Sequence, residues 1–242
     1  MIFSLSTRLN SIQAVVFILA SLVVGSAAFA KTEATKPKLS AIQRQARLRH
    51  AHELLGGHYS RSRAKHGEDI PKINGMIYRT ALEKLPKKFK AQHQKIAQAI
   101  IDESLKYEFD PVFIVSVIDG ESSWRPLKIG GVGEVGLMQI RPETAQWIAQ
   151  RDSLAYGGPD DLKNPVINIR IGAAYFAYLR DHYDSNPRLY IAAYNMGQRN
   201  VASALERNIL PKDYPLFVMK RYFQYYERYT EEMKAKQIRK NG

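Results

Sequence analysis

Most apolar positions of this 242-residue chain recur at helical spacing. The most regular stretch begins at Asp110-Pro111, where Ile114, Val117 and Ile118 follow at i, i+3 and i+4, with Glu121 at i+7. Asp110 suits an N-cap and Pro111 the first helical position, so the pattern predicts a helix with Glu121 in line with its core-facing stripe. Asn164-Pro165 opens a second such helix (Ile169, Ala173, Phe176, Ala177), and Asn186-Pro187 a third, through Leu189, Ile191 and Ala192 to Tyr194. Weaker patterns predict helices over 39–55, stopped by Gly56-Gly57, and over 73–85 before Pro86; a stronger one predicts a helix over 86–107 with Ile96, Ala99 and Ile100 on the apolar side. Arg141-Pro142-Glu143-Thr144 starts another, through Trp147 and Ile148, and a last one spans 215–238. Its stripe of Phe217, Val218, Tyr222, Tyr225, Tyr226 and Tyr229 reads either as packing of a terminal helix or as an aromatic binding platform. Between the helices, Gly130, Gly131 and Gly133 allow tight turns or a β-ribbon. This run lacks the Lys-Ser/Thr ending of a phosphate loop. With no strand-rich segment elsewhere, the fold class is mainly α.

The first 30 residues change the picture. Arg8 precedes an apolar run, Ile12 to Val24, interrupted by Gln13 and Ser21, and Ala28-Phe29-Ala30 follows. This is the layout of a secretory signal peptide with an Ala-x-Ala site, and the run is shorter than the ~20 residues of a spanning helix. Periplasmic or secreted localisation, with no stable membrane anchor after cleavage, is the expectation. The absence of cysteine excludes a lipid-modified cysteine and a disulfide framework. The formal charge is +13, and Arg8 is the single charged residue of the first 30, which leaves about +12 on the remainder. Such an excess fits an anionic polymer or surface, or simply a solvated basic exterior. No nucleic-acid motif accompanies it, so nucleic acid is not expected as a partner. His50, His52, His58 and His66 lack acidic or thiol partners at zinc spacing; they read as exposed basic residues, and neither metal nor cofactor is expected.

A carboxylate that ends a buried stripe is costly to ionise, which raises its pKa toward the range of a general acid. Glu121 fits that description unless it turns to solvent. Around it stand three blocks: Glu121-Ser122-Ser123-Trp124-Arg125-Pro126, Gly136-Leu137-Met138-Gln139-Ile140 and Ala193-Tyr194-Asn195-Met196-Gly197. In order and spacing they resemble the catalytic domain of soluble-type lytic transglycosylases, with its goose-lysozyme-like fold. The resemblance runs from about Ile96 to Tyr229 and leaves 31–94 uncovered. It implies a lysozyme-like helical domain with a small β-hairpin or Gly-rich loop at the cleft. The expected organisation is a signal peptide (1–30), a basic and partly helical extension (31–94) that could bind a cell-envelope protein, and a catalytic domain with a C-terminal helix (95–242).

The resemblance further implies a substrate, the glycan strand of peptidoglycan. Its N-acetylmuramic acid to N-acetylglucosamine β-1,4 bond would be cut with formation of a 1,6-anhydro end. Glu121 would act as acid, then base. Met138 and Gln139 would line the cleft, with simple core packing the other reading for Met138. Tyr194 would orient Glu121 or the substrate acetamido group. Asn195 would hold the turn at Gly197, Ser122 would brace Glu121 or the sheet loop, and Asn168 would be a structural anchor. Glu134 departs from the family, which often has Ala there. It is either a second carboxylate, supporting hydrolysis as in a muramidase, or a solvated turn residue. A non-catalytic wall-binding scaffold is the rival from another class, and the retained Glu121 speaks against it.

Overall fold

The computed structural model describes residues 41–241. The expected signal peptide and the first residues after it lie outside the described residues. α1 covers 41–55 and is followed by two 3-10 turns, Gly56–Arg61 and Arg63–Glu68. Then come α2 (Ile70–Lys84), a 3-10 turn at Lys87–Gln92, α3 (His93–Lys106), α4 (Pro111–Ser122) and α5 (Pro142–Arg151). A fourth 3-10 turn, Pro159–Lys163, precedes α6 (Pro165–His182), α7 (Pro187–Met196), α8 (Gln198–Glu206) and α9 (Asp213–Asn241). The mainly α class expected from the pattern is what the structure has, and α8 is an element the pattern did not reveal. None of the described helices is long and apolar enough to cross a membrane.

α4 is the centre of the core. Every residue from Pro111 to Ile118 is buried. Its faces pack on α3 and on α9, so the apolar stripe seen in the sequence is one face of a helix covered on several sides. The tyrosines of α9 supply packing: Tyr222, Tyr225, Tyr226 and Tyr229 are all buried.

The start of α4 is fixed by a buried polar network. Asp110 Oδ1 accepts the Val112 N–H at 2.9 Å, the capping bond its sequence position predicted. Its Oδ2 accepts the hydroxyls of Tyr222 (2.8 Å) and Tyr226 (2.7 Å) and faces the buried Arg47 guanidinium at 3.3 Å. The Asp110 N–H donates to His50 Nδ1 at 3.0 Å, so the proton of His50 sits on Nε2, 3.1 Å from the Tyr190 hydroxyl. Arg47 and His50 lie on α1 and are fully buried. This corrects the expectation of an exposed His50. Burial, with the Arg180 charge, pushes its pKa well below the ordinary histidine value, so it is neutral in the fold. Ile42–Gly242 is one compact unit, so residues on both sides of position 94/95 pack together. The physical reason is that Ala51, Leu55, Tyr59, Ile73 and Ile77 share one core with α4.

Candidate active site

α4 ends immediately after Glu121. Ser123 and Trp124 both take left-handed backbone angles (φ 50° and 62°), a conformation that disfavours residues bearing a Cβ by ~1–2 kcal/mol each. Complete burial of the Trp124 side chain offsets that and anchors the turn. The Ser122 hydroxyl bonds back to the Ile118 carbonyl at 3.1 Å, so it caps the helix end rather than touching the Glu121 carboxyl.

The glycine-rich stretch folds over the cleft as a loop with two antiparallel bridges, Ile129 to Val135 and Val135 to Ile140. Gly136 sits at φ 88°, and a Cβ there would come within 2.3 Å of the Asn168 amide nitrogen. That close approach lets Asn168 serve the loop as an anchor. It donates to the carbonyls of Val135 (2.8 Å) and Leu162 (3.1 Å) and accepts the Met138 N–H (2.7 Å). Met138 itself is fully buried, with its sulfur in the space left by Gly172, so its side chain packs the core and does not line the cleft. Gln139 does reach the cleft, while its amide nitrogen is held by the carbonyls of Gly136 (2.9 Å) and Lys128 (3.1 Å).

Glu121 lies where two cavities meet. The first, about 400 Å³, is walled by Glu134, Gln139, Arg141, Tyr194 and Asn195. The second, about 390 Å³, is walled by Gly120, Asp213, Tyr214 and Phe217. Both include Glu121, Lys128 and Asn195. The Glu121 carboxyl accepts a short hydrogen bond from the Tyr214 hydroxyl, and Lys128 Nζ donates to its backbone carbonyl. Burial raises the Glu121 pKa above the ordinary carboxylate range and the Glu134 charge adds to it; the Tyr214 bond, Lys128 and Arg221 act in the opposite direction.

The Tyr194 ring stacks on Phe176 (centroids 3.8 Å apart) and its hydroxyl donates to the Met138 carbonyl at 2.8 Å. Tyr194 therefore ties α7 to the loop. Its own pKa is raised by burial and by the Glu121 charge, so it stays protonated beside the acid. Asn195 is exposed in the cleft; the turn it was expected to hold is closed instead by the Gly197 N–H on the Ala193 carbonyl at 2.9 Å. Glu134 is half-buried in the cleft, with Oε2 3.2 Å from the Val132 N–H. The structure thus brings Glu121, Glu134, Gln139, Tyr194 and Asn195 to one cleft and leaves Ser122 and the Met138 side chain behind it. The sequence reading missed Tyr214 and Lys128. Tyr214 stands 93 positions from its carboxyl partner, and its one sequence signal is its place before Pro215, where the last helix starts.

Residues 98–216 match the family model described as the transglycosylase SLT domain. The chain carries a lytic-transglycosylase SLT domain. It is 36% identical to the soluble lytic murein transglycosylase of Salmonella typhimurium over 38% of this chain and 15% of that protein. To the soluble lytic murein transglycosylase of Escherichia coli it is 34% identical, over 40% of this chain and 15% of the relative. Among solved structures it resembles an inactive variant of the lytic transglycosylase Slt from Pseudomonas aeruginosa, at 25% identity and a TM-score of 0.49, over 57% of this chain and 24% of that one. The chain therefore matches only about 15% of the length of those two curated relatives. The three sequence blocks that suggested the family all fall within 98–216.

Proposed function

We propose that the protein cleaves peptidoglycan glycan strands at the β-1,4 bond from N-acetylmuramic acid to N-acetylglucosamine, leaving 1,6-anhydro ends, with Glu121 as acid and then base. One observation carries this reading: in an SLT domain, a carboxyl with raised pKa stands at the meeting point of two cavities. Burial favours the protonated form of Glu121, the form a general acid needs. It gives its proton to the glycosidic oxygen as the C1–O bond breaks. The substrate's own acetamido group can cover the positive charge that develops at C1. The Tyr214 hydroxyl and the nearby Lys128 charge then stabilise the carboxylate that has formed. That carboxylate takes the proton of the muramoyl C6 hydroxyl while O6 bonds to C1. Glu121 is restored and no water is consumed.

A second reading rests on Glu134, whose charge raises the pKa of Glu121 from within the same cavity. A second carboxylate there would support attack by water and hence some hydrolysis. Export through residues 1–30 would place either reaction in the periplasm or outside the cell.

Mass spectrometry of soluble products from purified peptidoglycan tests both. Muropeptides one water lighter than reducing ones, absent with Glu121→Gln, are the expected result. Reducing products would establish hydrolysis, and Glu134→Gln would then shift the product ratio. No cleavage by the folded wild type would overturn the proposal.

A further inference from the structure

The second cavity contains a feature that acid–base chemistry at Glu121 does not require. Phe217 sits at the start of α9 with 40% of its surface exposed, whereas Val218 and Tyr222 on the same helix are fully buried. Its ring is nonetheless held firmly. The Arg221 guanidinium lies 3.7 Å from the ring centroid, and the Tyr214 ring stacks beside it at 6.0 Å and 26°. Against its edge lies Gly120, where a Cβ would come within 2.7 Å of Phe217 Cε1. Glycine inside a helix is less stable than alanine by ~1 kcal/mol, and here it occupies the last turn of α4, one residue before Glu121. The chain thus gives up helix stability beside the acid to seat an exposed aromatic ring there.

An aromatic surface rimmed by polar groups suits a pyranose, which offers an apolar C–H face and a hydroxyl edge. The rim is present: the Asp213 carboxyl, the Tyr214 hydroxyl and the Lys128 ammonium share the cavity with Phe217. This cavity is shallow and open, and it joins the first at Glu121, Lys128 and Asn195. Among the described residues, the strand thus has a seat on each side of the acid. Cleavage at a strand end would also hold a sugar on each side of the acid, but it would need a wall beyond one of them; among the described residues the cavity at Phe217 is open on the α9 side instead.

We infer that Phe217 is the platform for a sugar ring on the α9 side of Glu121, so that glycan strands thread the cleft and are cut internally. The inference rests on the proposed cleavage by Glu121. Each event would break one C1–O4 bond inside a strand and give two shorter strands, one with a new anhydro end and one with a new free 4-hydroxyl.

The test uses long, peptide-free glycan strands and follows strand length by chromatography from the earliest time points. Strands of intermediate length should appear before disaccharides accumulate. Disaccharides released from the start beside full-length strands would overturn the inference while leaving Glu121 chemistry intact; no products at all would instead strike the proposed function. Binding gives an independent reading. In the Glu121→Gln background, Phe217→Ala should weaken binding of N-acetylglucosamine oligomers about tenfold, and Phe217→Tyr should retain it. Leu216→Ala, on a neighbouring exposed residue, should leave binding unchanged. Equal affinity of Phe217→Ala and its parent would refute the platform.

Discussion

Protonation of His50 should weaken the fold as the pH drops below neutrality. Its Nδ1 accepts the Asp110 N–H at the start of α4, and its Nε2 bonds Tyr190. A protonated ring would set N–H against N–H at Asp110. Glu53, 3.9 Å from Nε2, would favour the charged ring, but its carboxylate is already paired with Arg180 (2.8 and 2.9 Å from Nε). Burial and the Arg180 charge therefore hold the folded-state pKa well below 6.5. The sign follows directly. The unfolded chain binds the His50 proton below pH 6.5 and the folded chain does not, so this contribution is complete above that pH and is lost as pH falls through it. With an unfolded value of ~6.5, proton occupancy in the unfolded state rises from about 0.24 at pH 7.0 to about 0.91 at pH 5.5. For a folded pKa below that interval, integration gives a loss of about 1.3 kcal/mol, a large share of a typical net stability of ~5–15 kcal/mol. Urea unfolding of the wild type and His50→Asn at both pH values isolates the effect, because asparagine keeps an acceptor for the Asp110 N–H but does not titrate. The variant should be less stable at pH 7.0, and the gap should narrow by about 1.3 kcal/mol at pH 5.5. A gap independent of pH would refute the assignment of a neutral, capping His50.

Removing the hydroxyl in Tyr214→Phe withdraws a bond that lowers the Glu121 pKa, so the alkaline limb of the pH profile for kcat/KM should move to higher pH while kcat falls. An unmoved limb would detach Tyr214 from the acid. In Gly136→Ala, the positive φ and the 2.3 Å approach to Asn168 should destabilise the fold by more than ~1 kcal/mol, read as a lower urea midpoint. Asp110→Ala leaves Arg47 buried without its carboxylate and should lose ~3–5 kcal/mol in the same assay.

The elements of the site were legible where local rules act alone. The Asp110 cap, the Asn164 cap and the end of α4 after Glu121 follow from side chains within a few positions of the backbone they serve. The pairing of Glu121 with Tyr214 and of Asp110 with Tyr222 joins positions 93 and 112 apart, and no local pattern encodes a partner at that range. Met138 shows the same limit in reverse. The block Gly136-Leu137-Met138-Gln139-Ile140 marks the loop correctly, but whether Met138 faces substrate or core depends on Gly172 of a distant helix. His50 was misjudged because the periodicity of α1 is weak, and a histidine that neutralises on burial looks in sequence like one that does not.

The same long-range contacts explain why the family match and the folding unit have different limits. The match begins at residue 98, yet the helix that presents Glu121 starts at Asp110, and two of that residue's buried partners, Arg47 and His50, come from α1. Asp110 caps α4 with one carboxylate oxygen, and a carboxylate buried without a cation would be strongly unfavourable. Arg47 supplies the cation, and Tyr222 and Tyr226 of α9 satisfy the same oxygen. α1 and α9 thus close on the start of the acid-bearing helix from outside the three sequence blocks around Glu121. Since α9 also brings Tyr214 and Phe217 to the other end of α4, one helix links the buried cap of α4 to the surroundings of its carboxyl. A change at the Asp110 cluster should therefore be felt at Glu121 through the seating of α9, without any contact between the two.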